Sequence, residues 1–182
     1  VEAAVQYTRV SNLRVGNFAV GFYFADCVGV TVHKCFTQNL ANHSSATQTA
    51  NGTSISSSMF GVGFYFEATR HGSGISPLAS IELVETDDNR EQSPSSVKTV
   101  SYYIKGEDIR DIFFQRAEST KADYGWYIDV PSASPADLNW DVHIIRPIID
   151  QFGVNGIFAT NLDGVGGLTI TGGYFVGSSS SQ

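Results

Sequence analysis

The chain has 182 residues, of which 42% are hydrophobic and only 16% are charged. It is therefore long enough for one well-buried domain, and its composition excludes a disordered chain. The formal net charge is -7 without a cluster of lysines and arginines, which argues against nucleic acid as a partner. No apolar run reaches membrane-spanning length, so we expect no membrane insertion. Because the chain begins at Val1, we expect it to be a fragment of a longer protein.

One aromatic segment recurs along the chain. Residues 18–25 read FAVGFYFA, and residues 60–68 read FGVGFYFEA. Three weaker copies follow at residues 101–105 (SYYIK), 125–129 (GWYID) and 156–160 (GIFAT). Short, aromatic, β-prone segments of one shape indicate a repeat architecture.

A second pattern, apolar-x-apolar, alternates with the aromatic segments. Its copies are Leu13-Arg14-Val15, Val30-Thr31-Val32, Ile81-Glu82-Leu83, Ile112-Phe113-Phe114, Val142-His143-Ile144 and Leu168-Thr169-Ile170. Period-two alternation is typical of strands, and no stretch has helical periodicity. Two kinds of strand that alternate along the chain and stack like on like predict a parallel β-helix.

Two runs carry a resemblance to a known family. Residues 12–35 (NLRVGNFAVGFYFADCVGVTVHKC) and 168–175 (LTITGGYF) resemble coils of the right-handed β-helices of pectate-lyase-like enzymes and bacteriophage tailspikes. The resemblance implies an all-β fold, a single right-handed parallel β-helix of about six coils with long inserted loops. We expect this domain to span residues 1–176, with 177–182 as a Gly/Ser-rich tail or linker. The predicted inserts are residues 37–58, 85–96 and 130–139.

Aligning the five aromatic segments by parity separates an inward set from an outward set. The inward pairs are Phe22/Phe24, Phe64/Phe66, Tyr102/Ile104, Trp126/Ile128 and Ile157/Ala159. The outward set contains a column of rings, one per coil: Tyr23, Tyr65, Tyr103, Tyr127 and Phe158. Coils lie about 4.8 Å apart, so these rings would form an exposed strip. A column of small residues beside it, Gly21, Gly63, Ser101, Gly125 and Gly156, would leave room for a ligand close to the backbone.

Three interpretations of this strip remain open. The tyrosines would stack on sugar rings, or they would be buried between subunits, since Tyr is enriched at interfaces. In the third interpretation a loop of the chain itself, such as residues 37–58, covers them.

A charged column follows the tyrosines. Glu67, Lys105 and Asp129 occupy the same position in successive segments. Two carboxylates separated by one coil would be about 9–10 Å apart at the backbone, close to the spacing of roughly 6.5–9.5 Å that inverting glycoside hydrolysis uses. The alternative is an ordinary ladder of opposite charges. A second ladder of this kind, Lys34, Glu85, Arg116 and Arg146, favours that structural interpretation.

Other candidate sites are weaker. Asp87 and Asp88 are interpreted as solvated or turn-forming residues. No phosphate-binding loop, nucleophile motif or zinc spacing is present, so we expect no cofactor and no metal. Cys27 and Cys35 are expected to be buried free thiols.

The resemblance implies a function as part of a phage tailspike-like receptor-binding protein, a homotrimer on the virion surface outside the cell. Such a protein would bind bacterial surface polysaccharide and, if it is an enzyme, hydrolyse it as an endoglycosidase (depolymerase). Glu67 and Asp129 would then be catalytic, and Tyr65, Tyr103, Tyr127 and Lys105 would bind the substrate. The alternatives are a non-catalytic shaft of a trimeric fibre and a polysaccharide lyase of the pectate-lyase-like type.

Overall fold

The computed structural model describes residues 7–16, 20–38, 48–50, 53–55, 61–68, 70–71, 74–75, 78–90, 99–106, 108–129, 139–160 and 165–177. Within these residues the regular secondary structure is entirely β, with no helix. Period-two alternation in the sequence therefore predicted the fold class correctly.

Three sheets of parallel strands form the body of the protein. Sheet A contains, in spatial order, β1 (Arg9–Ser11), β4 (Thr31–His33), β11 (Leu78–Val84), β14 (Asp108–Gln115), β17 (Asn139–Ile145) and β20 (Val165–Thr171). Sheet B contains β2 (Arg14–Gly16), β5 (Phe36–Gln38), β12 (Asp87–Asn89), β15 (Glu118–Thr120), β18 (Ile148–Phe152) and β21 (Tyr174–Gly177). Sheet C contains β3 (Val20–Ala25), β8 (Val62–Glu67), β13 (Val100–Lys105), β16 (Tyr124–Asp129) and β19 (Asn155–Thr160).

The chain visits these sheets in the repeating order A, B, C, and each strand pairs in parallel with its counterpart in the next coil. This arrangement is consistent with a parallel β-helix. Two antiparallel hairpins interrupt it. One, β6 (Gln48–Ala50) with β7 (Thr53–Ile55), lies between β5 and β8 in the sequence, and the other, β9 (Arg70–His71) with β10 (Gly74–Ile75), follows β8.

Sheet B corrects the prediction of only two kinds of strand. Its strands are short, and their middle residues are often polar, as with Thr37, Asp88 and Ser119, so they lack an apolar-x-apolar pattern. Strand β12 lies inside the predicted insert 85–96, and β5 overlaps the start of the predicted insert 37–58. The run Leu13-Arg14-Val15 overlaps β2 of sheet B rather than a strand of sheet A. Much of the rest of these two inserts lies outside the described residues. The same holds for most of the predicted insert 130–139 and for the tail beyond Gly177.

The core lies between the inward columns of the sheets. Phe22, Phe64, Tyr102 and Trp126 stack on adjacent strands of sheet C, with ring centroids 5.0, 5.2 and 4.5 Å apart. Phe114 of sheet A packs edge-on against Tyr102 and Trp126. The predicted inward set is thus confirmed as part of the main core. Each ring pair adds about 0.5–1.5 kcal/mol beyond the burial of its apolar area.

The corner between sheets A and B is built the same way in every coil. One residue at this corner has a positive φ of 51–67° in every coil. These residues are Asn12, Lys34, Glu85, Arg116, Arg146 and Gly172. In the first five coils the N–H of this residue donates to a carbonyl of the next coil at 2.7–3.1 Å. Lys34 and Arg116 both pair with Glu85, at 3.7 and 3.0 Å. The second charge ladder therefore is a structural feature of this corner, and such exposed pairs contribute about 0–1 kcal/mol each.

The glycine column lies where sheets B and C meet. The paired residues of the sheet C strands do not include Gly21, Gly63, Ser101, Gly125 and Gly156. A Cβ on Gly63 would lie 2.7 Å from the Ser101 carbonyl and 2.9 Å from Oγ1 of Thr37. The space beside these glycines is therefore filled by sheet B. The prediction that it is open to a ligand was wrong, because sheet B side chains such as Thr37 and Ile149 lie against this column.

Candidate functional site

The predicted column of aromatic rings exists. Tyr23, Tyr65, Tyr103, Tyr127 and Phe158 are direct partners on successive strands of sheet C. Neighbouring ring centroids are 5.1, 4.8, 5.5 and 4.9 Å apart, in that order along the column. The sequence therefore predicted the register of this sheet correctly.

The predicted exposure of the column was wrong at its centre. Tyr65 is 0% exposed and Tyr103 is 2% exposed, whereas Tyr23 and Tyr127 at the flanks are partly buried. These rings form a second apolar cluster with the valines and the tyrosine that begin the same strands, Val62, Val100 and Tyr124. Because the chain itself covers them, a glycan in solvent would reach Tyr65 or Tyr103 only if the covering chain moved. The interpretation in which the protein's own chain covers the strip is favoured.

Two hydroxyl groups of the column reach the carboxylates at the strand ends. Tyr23 donates to Oε2 of Glu67 at 2.8 Å, and Tyr103 donates to Oδ2 of Asp129 at 2.9 Å. The Tyr65 hydroxyl is also buried, close to Glu67. Burial, followed by the neighbouring carboxylates, raises the pKa of all three tyrosines. These hydroxyls therefore remain protonated, and two of them hold a carboxylate in place.

The charged column has the predicted register. Ala25, Glu67, Lys105, Asp129 and Thr160 are direct neighbours across sheet C. Nζ of Lys105 lies 3.5 Å from Oε1 of Glu67, and Oγ1 of Thr160 lies 3.4 Å from Oδ1 of Asp129. Glu67 is only 6% exposed, whereas Lys105 and Asp129 are partly exposed. The two proposed catalytic carboxylates are thus two strands apart, or about 9–10 Å at the backbone.

Sequence reasoning missed a buried polar network at the junction of sheets B and C. Oδ1 of Asp88 accepts from Thr37 at 2.7 Å. Its Oδ2 accepts from Ser101 at 2.6 Å and from Arg90 at 3.0 Å. Arg90 also donates to the carbonyl of Gly61 at 2.5 Å, and Ser101 shares a hydrogen bond of 2.7 Å with Ser119. Asp88 is therefore a structural residue and not part of a solvated turn.

The structure also brings together a carboxylate pair that sequence reasoning missed. Asp87 on β12 is the direct neighbour of Glu118 on β15, on the face of sheet B opposite Asp88. Burial, Glu118 and Asp88 raise the pKa of Asp87 from 3.8 to about 7, although Arg14 opposes the shift. One carboxylate oxygen of Asp87 is buried without a partner. Because the two residues are far apart in the sequence, only the register of sheet B could have revealed this pair.

Asp87 gives the stability of the fold a pH dependence. Its folded pKa of about 7 exceeds the ordinary 3.8, so between these values the folded protein binds the proton more tightly than the unfolded chain. The free energy of unfolding should therefore fall as the pH rises from about 4 to about 7. We expect Asp87→Asn to be stabilising relative to the wild type at about pH 8, and less so at about pH 4.5. Urea unfolding at both pH values measures this difference.

Glu118→Gln serves as the matched variant, since Glu118 is the largest electrostatic cause of the raised Asp87 pKa. In the Glu118→Gln background, Asp87→Asn should raise the free energy of unfolding at the higher pH by less than it does in the wild type. An Asp87→Asn effect of equal size at both pH values would contradict the assignment.

The described residues contain no group of three or more His, Cys, Asp and Glu side chains placed to hold a metal ion. The two cysteines are buried free thiols, as expected, and burial with the nearby Asp26 raises the pKa of Cys27 to about 11. In the part of the chain that the structure describes, no helix is long and apolar enough to cross a membrane. The polar side chains of sheets B and C thus provide the candidate chemistry.

No family model, curated protein or solved structure matches this chain. Its function must therefore be inferred from its own fold and side chains. Among the described residues, the charged column of sheet C and the Asp87–Glu118 pair are candidate sites for chemistry. The assigned roles of Glu67, Asp129, Tyr65, Tyr103, Tyr127 and Lys105 stay predictions.

Proposed function

We propose that this chain is a right-handed parallel β-helix of about six coils with long inserted loops, and that it binds bacterial surface polysaccharide. Right-handed crossovers are the strong rule for parallel strands of one sheet. In this proposal the chain belongs to a phage tailspike-like receptor-binding protein, a homotrimer displayed outside the cell on the virion surface. It hydrolyses the bound polysaccharide as a depolymerase.

The observation that carries the proposal is the row of Glu67, Lys105 and Asp129. Each carboxylate is held by a tyrosine hydroxyl, at 2.8 Å for Glu67 and 2.9 Å for Asp129. The row lies on rigid, hydrogen-bonded strands, which fix side chains more closely than loops do. Carboxylate oxygens accept hydrogen bonds from sugar hydroxyls, and the ammonium of Lys105 donates to sugar oxygens. A polysaccharide chain running along the stacked coils would meet these groups in succession.

The spacing of the carboxylates suits hydrolysis with inversion. One strand, β13, lies between the strands of Glu67 and Asp129, so their backbones are two strand spacings, or about 9–10 Å, apart. Flexible side chains can bring the carboxyl groups into the range of roughly 6.5–9.5 Å, in which a water fits between acid and base. Asp129 is the more exposed of the two, and we assign it the role of activating the water. Glu67 is the other member of the pair, and to act on the leaving oxygen it must first take up a proton, which its ion pair with Lys105 opposes.

The test uses a panel of purified bacterial capsular and O-antigen polysaccharides. We expect Asp129→Asn to lower turnover at least about 100-fold, the usual contribution of a positioned acid or base, with binding retained. Lys105→Ala should weaken binding about tenfold through the loss of one charge-assisted hydrogen bond. New reducing ends report hydrolysis, and biolayer interferometry reports binding. Glu85→Gln, in the exposed corner ladder, is the matched control.

Each alternative has a distinct outcome in the same experiment. Unchanged turnover in both Glu67→Gln and Asp129→Asn would remove this pair from catalysis. An ultraviolet-absorbing unsaturated sugar among the products would identify a polysaccharide lyase of the pectate-lyase-like type instead. An absence of binding to every polysaccharide would overturn the proposal.

A second candidate function, a non-catalytic β-helix shaft of a trimeric fibre, is favoured by one specific observation. Side chains of neighbouring strands already engage the carboxylates of Glu67 and Asp129, and Tyr65 and Tyr103 are buried. Cross-strand pairs of this kind are an ordinary means of stabilising a sheet. A shaft would assemble normally, bind no glycan and lose stability in Asp129→Asn.

A further inference from the structure

The outward side of sheet A has a partly apolar middle. Apolar and aromatic side chains that alternate with the core residues of β11, β14 and β17 are partly exposed there, namely Val84, Phe113, His143 and Ile145. The rings of Phe113 and His143 stack at 4.5 Å, and the carboxylate of Glu82 accepts a hydrogen bond from Gln115 at 2.8 Å. Each of the three strands has a described strand on both sides. The exposure of this surface is therefore a property of the middle coils.

The two edges of this surface carry opposite charges. Strand β14 has the exposed Asp111 in its first half, and the exposed corner residue Arg116 follows its last residue. Strand β17 has Asp141, whose side chain is 41% exposed, in its first half, and the exposed Arg146 follows its last residue. In both coils the carboxylate and the arginine are about 16 Å apart along the strand. Sheet A is therefore acidic along one edge and basic along the other.

The charges of these edges are incompletely compensated within the chain. Arg116 pairs with Glu85 at 3.0 Å, but the guanidinium of Arg146 has no ion pair or hydrogen bond among the described residues. Two arginines thus follow each other at the corners of adjacent coils, where like charges repel. On the acidic edge Arg110 is held by Asp108 through two hydrogen bonds, so the net negative charge of that edge comes from the two aspartates. Each edge therefore favours a group of opposite charge from outside the chain.

We propose that this side of sheet A is the contact between copies of the chain, an inference that rests on the proposed trimeric assembly. A three-fold axis parallel to the coil axis keeps equal coils at one level, so the basic edge of each copy meets the acidic edge of the next. Arg146 then faces Asp141 of the next copy, and Arg116 faces Asp111 of the next copy, and both pairs suit the forked geometry of arginine. A second copy is selected as the partner because it carries the matching charges in the same two coils. Phe113 lies in the middle of the contact, where interfaces are rich in aromatic residues. The contact does not use sheet C, where the glycan is proposed to bind.

Sedimentation equilibrium of charge-reversed variants tests the contact. The wild type should sediment as an assembly of three chains of 19.6 kDa each, and it should dissociate more readily at high salt. Arg146→Glu and Asp141→Lys should each raise the dissociation constant at least about tenfold, because like charges then meet across the contact. The two substitutions in one chain exchange the charges and should restore assembly. Arg14→Glu, at an exposed position on β2 of sheet B, is the matched control and should assemble like the wild type.

Arg146→Glu separates the contact from the fold, because it continues the alternation of charges beside Arg116 and should not lower the melting temperature measured by circular dichroism. A trimer that is unaffected by both single substitutions would overturn the contact and leave the proposed trimeric assembly standing. A double variant that stays dissociated although it is folded would also overturn it, as would a wild type with the mass of one or two chains. A single chain that still hydrolyses polysaccharide would overturn the contact without affecting the proposed activity.

Discussion

Asp88→Asn is expected to lower the free energy of unfolding by about 3–5 kcal/mol, the usual cost of breaking a buried ion pair. Asp88 is fully buried and receives hydrogen bonds from Thr37, Ser101 and Arg90. An asparagine of the same shape removes the negative charge and turns an NH₂ group toward one of these donors. The positive charge of Arg90 would then be buried without compensation.

Urea unfolding followed by circular dichroism measures this loss. The matched control is Glu85→Gln, because Glu85 also pairs with two cations, but at the exposed corner. Its expected cost is about 0–1 kcal/mol. Equal losses of unfolding free energy in the two variants would show that the buried network around Asp88 stabilises the fold no more than an exposed ion pair does.

Trp126→Ala is expected to cost about 3–5 kcal/mol, the range for removing a large buried aromatic side chain. Trp126 is fully buried, stacks on Tyr102 at 4.5 Å and meets Phe114 edge-on at 5.8 Å. Alanine would leave a cavity in the middle of the ring stack, and rigid strands on both sides limit how far the core can collapse into it.

Trp126→Phe separates the ring from its N–H group. Nε1 of Trp126 is buried without a hydrogen-bond partner, so phenylalanine keeps a stacked ring and removes an unsatisfied donor. We expect less than half of the alanine penalty, measured by the same unfolding experiment. A phenylalanine variant as unstable as the alanine variant would mean that the packing of the indole, and not stacking alone, holds this region together.

Sheet C was predictable from the sequence because large aromatic residues occupy the repeated positions of its strands. Phe22, Phe64 and Tyr102 recur at one position, so parity placed them inside and the register followed. Sheet B was not predictable in this way. Its strands are about three residues long, and a middle residue such as Asp88 is stabilised by partners that are distant in the sequence.

The candidate site was predicted in its register but not in its exposure. Parity identifies which side of a strand a residue such as Tyr65 occupies, but not whether another segment of the chain covers that side. The Asp87–Glu118 pair was missed for a related reason, since its two members become neighbours only after sheet B has formed. Sequence patterns therefore predicted which residues lie in one row across a sheet. The burial of Tyr65 and the raised pKa of Asp87 became visible only in the packed structure.

Each strand of the three sheets bonds only to its counterparts in the coils immediately before and after it. In such a molecule folding spreads from one coil to the next, so the cooperativity of unfolding depends on the weakest interface between neighbouring coils. In the intact protein, amide hydrogens should accordingly exchange most slowly in strands that have a buried strand on each side, such as β13. A substitution that unfolds a middle coil would instead divide the molecule into two parts that unfold separately.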